Sequence, residues 1–182
     1  TPLAHYARYG IARGLSPHPL FDLKYYIAQA PELVATQESP LLHYLRVGAE
    51  RDLAPSRLFQ PVFYRQQLAA EDQASNPLLH YLRLGHRRGL RPHPLIDPTW
   101  VRKTYREVGD REPVSFYLRQ ADPGVVSPGP WFDSAEYVRA RGEARLTSLD
   151  PLSDYLAGGA WIFPIQRQEA VAARFAASFP EA

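Results

Sequence analysis

The chain has 182 residues and a formal net charge of +2, which is too small to indicate a nucleic-acid-binding protein. Its hydrophobic content of 45% and charged content of 22% are those of a soluble folded protein. The absence of cysteine excludes disulfides and thiolate metal sites, and no apolar run approaches the roughly 18–20 residues that a membrane-spanning helix needs.

A five-residue pattern recurs along the chain: a proline, an apolar residue, a variable residue, a histidine or its substitute, and always a tyrosine. Its copies begin at Pro2, Pro40, Pro77, Pro113 and Pro151, which are 38, 37, 36 and 38 residues apart. A nearly constant period of this length indicates a tandem array of one supersecondary unit. The chain has no Met and begins inside such a unit, so we expect it to be a fragment of a longer protein.

The pattern predicts a short helix at the start of each unit. Proline suits the first helical position, and Ser39, Asn76 and Asp150 are preferred N-cap residues just before it. Glu112 is not a preferred cap, so we expect the fourth of these helices to begin less cleanly. Glycines about two turns later are predicted to end each helix in a left-handed conformation. They are Gly10, Gly48, Gly85 and Gly159.

A proline-punctuated segment follows each first helix, at 16–19, 54–56, 91–94 and 127–130. Residues before proline favour extended geometry, so we predict stiff crossing segments there. An apolar pair comes next, and then Asp22, Asp97 or Asp133, each of which is predicted to cap a second helix rich in aromatic residues. A short third turn is predicted around 31–34.

These elements predict an all-α fold of tandem short-helix repeats of about 37 residues, stacked as a solenoid-like array. Helices this short are marginal alone, so each must bury its aromatic stripe against its neighbours. We assign residues 1–160 to the helical repeat array, with units starting near the five prolines. Residues 161–182 are predicted to form a C-terminal capping helix or to lead into a following domain.

The array resembles a bacterial tandem repeat that combines a Pro-Leu-x-His-Tyr-Leu-x-x-Gly helix, a proline-rich crossing and a Phe-Asp-x-x-Tyr-Tyr helix. The resemblance covers about residues 1–160, and the later units depart from it at Phe116, Gln120, Ala121 and Asp154. Such repeats occur beside glycosyltransferase domains of surface-polysaccharide assembly and in large secreted or cell-surface proteins. The resemblance implies a helical, non-catalytic accessory region and transfers no catalytic residue.

Histidines at equivalent places, His5, His43 and His80, suggest either a metal ladder or a structural role. Metal ligands must lie about 2.0–2.2 Å from one ion, whereas equivalent residues of packed helices lie roughly 8–10 Å apart. We therefore favour histidines that hydrogen-bond the backbone of a neighbouring unit. His18 and His93 have proline on both sides and are predicted to be exposed, with a metal or ligand role as the less favoured alternative.

The repeated tyrosines could either stack on sugar rings or form the core of the repeats. We favour the core, with each hydroxyl bonded to the backbone, because an apolar residue follows most of these tyrosines. The predicted structural core consists of Tyr6, Tyr44, Tyr81, Tyr117 and Tyr155.

Arginines stand two residues after the first four tyrosines and are predicted to form a basic row on one face. Such a row suits an acidic polymer, because arginine makes bidentate contacts to carboxylate or phosphate. The alternative is a solvated face whose arginines pair with acids such as Glu50 or Glu112. The candidate ligand or partner face consists of Arg8, Arg46, Arg83 and Arg119.

We predict a non-catalytic helical repeat scaffold of a larger bacterial protein in surface polysaccharide or glycan assembly, which mediates protein or acceptor binding. Two alternatives stay open: direct binding of acidic carbohydrate along the arginine or aromatic face, and a helical accessory part of a glycosyltransferase. No catalytic, cofactor-binding or metal-binding residue is predicted. The expected location is the bacterial cytoplasm or the periphery of the inner membrane, with the cell surface as the alternative, and the sequence specifies no oligomeric state.

Overall fold

The computed structural model of the protein describes residues 16–36, 38–142, 146, 148 and 150–158. Predictions that concern residues 1–15, among them those for His5, Tyr6, Arg8 and Gly10, lie outside the described residues. The predicted capping segment 161–182 lies outside them as well.

The described residues form short helices joined by turns, with no β-strand among them, and so confirm the all-α prediction. Two of the helices continue into a wider π-helical turn, at Tyr44–Gly48 and Tyr81–Gly85, and two 3-10 turns span Ala70–Asp72 and Arg106–Val108. The α-helices are α1 (Leu23–Gln29), α2 (Glu32–Thr36), α3 (Pro40–His43), α4 (Pro61–Arg65), α5 (Pro77–His80), α6 (Pro98–Thr104), α7 (Pro113–Leu118), α8 (Ser134–Arg141) and α9 (Pro151–Leu156).

We call α3, α5, α7 and α9, which begin at the repeated prolines, the Pro-Leu helices, although α7 begins Pro-Val. The second helix of a unit packs against the next Pro-Leu helix along the chain through aromatic rings. The rings of Phe21 and Tyr26 lie 5.1 Å apart, and Tyr44 lies 5.5 and 5.6 Å from them, edge to face. The same triad recurs as Phe59, Tyr64 and Tyr81, and again as Phe132, Tyr137 and Tyr155. The repeating structure is therefore a crossing segment, the helix after it, and the Pro-Leu helix that follows.

We number these structural repeats one to four, spanning 16–48, 54–85, 91–118 and 127–156. The chain divides into two compact units, Thr1–Gly85 and His86–Ala182. The first unit contains repeats one and two, and the second unit contains repeats three and four.

Consecutive repeats within each unit are joined by backbone hydrogen bonds between their crossing segments. The Asp22 N–H donates to the Pro55 carbonyl at 2.8 Å, and the Asp97 N–H donates to the Pro128 carbonyl at 2.9 Å. In the first unit the Gln29 amide also bonds both the N–H and the carbonyl of Ala54, at 3.1 and 2.9 Å. Within each unit, the backbone of the first repeat is thus hydrogen-bonded to the crossing segment of the second.

The predicted caps of the second helices are confirmed. The Asp22 carboxylate accepts from the Tyr25 N–H at 3.1 Å, and Asp97 and Asp133 make the same bond at 2.9 Å to the N–H three residues on. The short third turn predicted around 31–34 is present as α2.

The caps of the Pro-Leu helices differ from the prediction at two positions. Ser39 makes no side-chain cap to α3, whereas Asn76 and Asp150 cap α5 and α9 as predicted. Glu112, expected to start α7 poorly, accepts from the N–H groups of both Val114 and Ser115. Its longer side chain lets each carboxylate oxygen satisfy one free amide of the first turn.

The prediction that Gly48 and Gly85 end their helices in a left-handed conformation is wrong. Both glycines lie at the end of a π-helical turn and have negative φ. Glycine is required here because a tyrosine hydroxyl approaches the backbone closely. A β-carbon on Gly48 would stand 2.0 Å from the Tyr26 hydroxyl oxygen, and a β-carbon on Gly85 would stand 2.0 Å from the Tyr64 hydroxyl oxygen. Among the described residues, no helix is long and apolar enough to cross a membrane.

Candidate functional site

A buried tyrosine–histidine hydrogen bond lies at the centre of repeats one and two. The Tyr26 hydroxyl is 2.8 Å from His43 Nδ1, and the Tyr64 hydroxyl is 2.7 Å from His80 Nδ1. Both tyrosines are fully buried, and burial raises the pKa of Tyr26 to about 12. The histidines therefore bond a side chain within their own repeat, not the backbone of a neighbouring unit as the sequence suggested.

A carboxylate stands on the other side of each imidazole, brought there by the short turn between the two main helices. Glu32 Oε1 lies 3.5 Å from His43 Nε2, and Asp72 Oδ2 lies 3.4 Å from His80 Nε2. A proton on Nε2, facing the carboxylate, leaves Nδ1 to accept the tyrosine O–H. Glu32 also pairs with Arg51 at 2.8 Å, and its pKa is lowered by its own backbone amide and by Arg51.

Repeat four keeps the tyrosine but replaces the histidine by an aspartate. The Tyr137 hydroxyl donates to Asp154 Oδ2 at 2.6 Å, and Arg141 Nε donates to the same oxygen at 3.1 Å. Asp154 is buried, so Arg141 supplies the positive charge that a carboxylate in this place requires. Burial and the Asp154 charge raise the pKa of Tyr137.

Repeat three has lost the polar pair altogether. Val101 stands where the other repeats have the bonded tyrosine, and Phe116 stands where they have the histidine or aspartate. Both are buried. The glycine that makes room for the tyrosine hydroxyl is also absent here, because Ala121 occupies that position. Loss of the hydroxyl, its acceptor and the adjacent glycine thus occurs together in one repeat.

His43 and His80 belong to separate hydrogen-bonded pairs. No group of three or more metal-ligating side chains occurs among the described residues. The exposure predicted for His93 is wrong, because its side chain is buried and its Nδ1 accepts from the Leu95 N–H at 3.1 Å. His18 is half-buried and makes the equivalent bond to the Leu20 N–H at 3.1 Å. Burial, with the nearby Arg91 charge, lowers the pKa of His93 to about 4.

The repeated tyrosines lie inside the repeats. Tyr44, Tyr81 and Tyr117 are buried, and Tyr155 is half-buried. The Tyr117 hydroxyl donates to Asp150 Oδ1 at 3.1 Å and accepts from the Leu152 N–H at 3.0 Å, at the start of the next Pro-Leu helix. The rings of Tyr44, Tyr81 and Tyr155 pack against other aromatic rings, so they do not form an exposed sugar-stacking surface.

The arginines of the predicted ligand face are exposed but differ in their surroundings. Arg46 pairs with Glu38 at 2.8 Å, and not with Glu50 as the sequence suggested. Arg83 and Arg119 are exposed as well. Glu112, named as a possible partner of this series, directs both oxygens to the α7 backbone.

An open groove of about 400 Å³ lies along α7, and we call it the α7 groove. It is lined by Arg111, Glu112, Ser115, Phe116, Arg119 and Gln120. The guanidinium carbon of Arg111 lies 5.1 Å from the centre of the Phe116 ring. This distance is within the limit of about 6 Å for a cation–π contact.

Sequence reasoning identified Arg119 as a candidate and Phe116 as a departure from the repeat, but it did not connect them with Arg111. The available signal was the residue two places before the helix-starting proline, which is Glu38 before α3 and Arg111 before α7. Comparisons of the chain with protein-family models, curated proteins and solved structures found no match.

Proposed function

We propose that the chain is a non-catalytic helical repeat scaffold that positions a protein partner or a glycan acceptor, within a larger bacterial protein of surface-polysaccharide assembly. The observation that carries this proposal is the use of the repeated polar side chains. The tyrosine hydroxyls and the imidazoles are buried and bonded to one another, as in Tyr26–His43 and Tyr64–His80. Groups used in this way hold helices together and are not poised for chemistry on a substrate.

Solenoid-like stacking of the repeats belongs to the same proposal. Support comes from the bonds between consecutive repeats inside each unit, such as Asp22 to Pro55 and Asp97 to Pro128. Stacked repeats that contact one another through their cores leave their outward positions free to vary, which suits a binding surface. Leu42 and Leu84 are two such outward apolar residues, 54% and 44% exposed.

The assignment to polysaccharide assembly is supported by the resemblance of the sequence pattern to repeats found beside glycosyltransferase domains. The test is an in-frame deletion of the codons for residues 16–158 in the bacterium that encodes the chain. We expect less polysaccharide at the cell surface, measured as acidic or neutral hexose released from washed cells. Unchanged surface polysaccharide would contradict the assignment, and sugar transfer by the purified chain alone would contradict the non-catalytic role.

Direct binding of acidic carbohydrate is the second candidate function. It is favoured by the exposure of Arg83 and Arg119 at equivalent places of two repeats. Arginine on an open surface recognises carboxylates by paired N–H donors. Reversing the charges of Arg46 and Arg83 together tests whether the predicted ligand face binds acidic carbohydrate. A continuous basic row requires both arginines to contact the polymer.

A further inference from the structure

The α7 groove carries more positive charge than the equivalent surface of repeat one. Two positions decide this: the residue two before the helix-starting proline, and the residue six after it. Around α3 these positions hold Glu38 and Arg46, which form an ion pair at 2.8 Å. In α7 they are Arg111 and Arg119, so an acid–base pair has been replaced by two cations.

The carboxylate of the groove offsets one of the two positive charges but is held by the backbone of α7. Glu112 lies between the two arginines in sequence, but its oxygens accept from Val114 N–H at 2.8 Å and from Ser115 N–H at 2.6 Å. A carboxylate held by the amides of a helix start is oriented toward the backbone. The groove therefore presents two guanidinium groups against one carboxylate that is already bonded.

The two arginines are placed differently. Arg111 is fixed, because its Nε donates to the Val108 carbonyl at 3.3 Å, its Nη2 donates to the Glu107 carbonyl, and its plane covers Phe116. Arg119 is exposed at the end of α7, and among the described residues its guanidinium makes no hydrogen bond or ion pair. A fixed cation beside a free bidentate donor is a suitable arrangement for an incoming carboxylate.

The groove also coincides with the place where the repeat pattern breaks down. Phe116 replaces the histidine or aspartate that the other repeats turn inward, and its ring becomes the floor under Arg111. Gln120 donates from Nε2 to the Phe116 carbonyl at 2.6 Å. Departures from an otherwise consistent local pattern are expected at functional sites.

We propose that the α7 groove binds a carboxylate-bearing sugar unit of the hexuronic acid class, with Arg119 as its bidentate partner and Arg111 as the second positive charge. A volume of about 400 Å³ lies within the range of small-ligand sites and accommodates one or two sugar rings. The inference deepens the proposed function, because it names the chemical class of the acceptor and the repeat that holds it.

The test is a calorimetric titration of the full chain with trigalacturonate at low ionic strength. Arms with a neutral galactose trisaccharide and with inorganic sulfate separate a sugar acid from a sugar and from an anion. We expect trigalacturonate to bind, the neutral trisaccharide not to bind, and sulfate to compete only weakly. Binding should weaken as salt is raised, because exposed charges are screened.

The variants are R119Q, R111E and, as a matched control, R139Q. R119Q removes a side chain with no internal partner, so it should fold normally and weaken binding by about tenfold or more, the effect of losing a charge-assisted hydrogen bond. R139Q removes an exposed arginine charge from α8, outside the candidate ligand face, and should leave binding unchanged. R111E recreates the acid–base arrangement of Glu38 and Arg46 and should abolish binding, with circular dichroism reporting its fold.

Three results would overturn the inference: no binding of trigalacturonate, equal weakening by R119Q and R139Q, or equally tight binding of sulfate. These outcomes are distinguishable from failure of the scaffold proposal. If the deletion lowers surface polysaccharide while the titration shows no binding, the scaffold stands and the groove assignment fails. If trigalacturonate binds while the deletion has no effect on the cell surface, the groove stands and the role in polysaccharide assembly fails.

Discussion

Gly48 lies directly under the hydroxyl of Tyr26, at a distance that admits a hydrogen atom but no β-carbon. The same relationship joins Gly85 to Tyr64 in the next repeat. In both places the helix widens into a π-helical turn, and the tyrosine oxygen that reaches the glycine also meets the imidazole of the Pro-Leu helix. Glycine, tyrosine and histidine are therefore three parts of one packing arrangement.

Substitution of Gly48 by alanine should destabilise the protein by overpacking. We expect Gly48→Ala to lower the free energy of unfolding by about 1–3 kcal/mol, because the new methyl group would stand 2.0 Å from the Tyr26 hydroxyl. Urea denaturation followed by circular dichroism measures the change. Adding Tyr26→Phe should recover part of the loss, and Ala121→Gly, at the equivalent position of repeat three, should change stability by less than about 1 kcal/mol. No recovery in the double variant would contradict this explanation.

The tyrosine–histidine pair should behave as a coupled unit. Tyr64→Val or His80→Phe alone leaves a buried polar partner without its bond, and each should destabilise by about 1–3 kcal/mol. The double substitution reproduces the Val101 and Phe116 combination of repeat three and should cost less than the two single changes together. A double-mutant cycle from chemical denaturation gives the coupling free energy. Strict additivity would show that the two side chains act independently.

The missing cap of α3 is an opportunity to stabilise the chain. Ser39 makes no side-chain bond to the helix, whereas Asn76 accepts from the Leu79 N–H at 3.1 Å in the equivalent place. We expect Ser39→Asn to raise the free energy of unfolding by about 0.5–1 kcal/mol and Asn76→Ala to lower it by about 1 kcal/mol. Thermal denaturation of both variants beside the parent chain is the measurement, and an unchanged midpoint for Asn76→Ala would refute the capping role.

Stability should fall in mild acid because of His93. Its folded-state pKa is about 4, below the ordinary value of 6.5, so the unfolded chain binds a proton between these values and the folded chain does not. The contribution is fully present above pH 6.5 and is lost progressively as the pH falls toward 4, with an upper limit of about 3 kcal/mol.

The matched control for this pH effect is His93→Asn, which keeps an acceptor for the Leu95 N–H but has no titrating group. The free energy of unfolding of the parent and the variant should converge as the pH is lowered from 7 to 4. Parallel pH profiles would contradict a role for His93. Asp150, whose pKa is raised by burial, is present in both proteins and cancels in the comparison.

Local rules of helix formation predicted much of this fold. Proline at the first helical position and aspartate before the second helix depend on one turn of backbone, so Asp22, Asp97 and Asp133 could be assigned as caps from sequence alone. The same rules failed at Glu112, because a preference table says nothing of a side chain long enough to reach two amides at once.

Relationships across the repeat could not be predicted in the same way. The partner of His43 lies 17 residues earlier, in α1, and no periodicity within one helix points to it. The role of Gly48 was mistaken for the same reason, since its neighbour is a tyrosine hydroxyl brought in by tertiary packing. The α7 groove depends on Arg111 and Phe116 meeting, a contact that the spacing of the arginine series does not contain.

In repeats one and two the hydrogen-bonded tyrosine lies before the turn that joins two helices, and the histidine lies after it. A segment one repeat long can therefore be removed or inserted and still leave each tyrosine with a histidine at a spacing that these repeats already have. Deletion of residues 27–64, for example, would join Tyr26 to the segment that carries His80 and leave both partners in register. Unequal recombination between copies of the repeat can therefore lengthen or shorten such a gene without orphaning a buried hydroxyl. Exchange into repeat three is the exception, since a chain that paired Tyr64 with Phe116 would bury that hydroxyl without an acceptor.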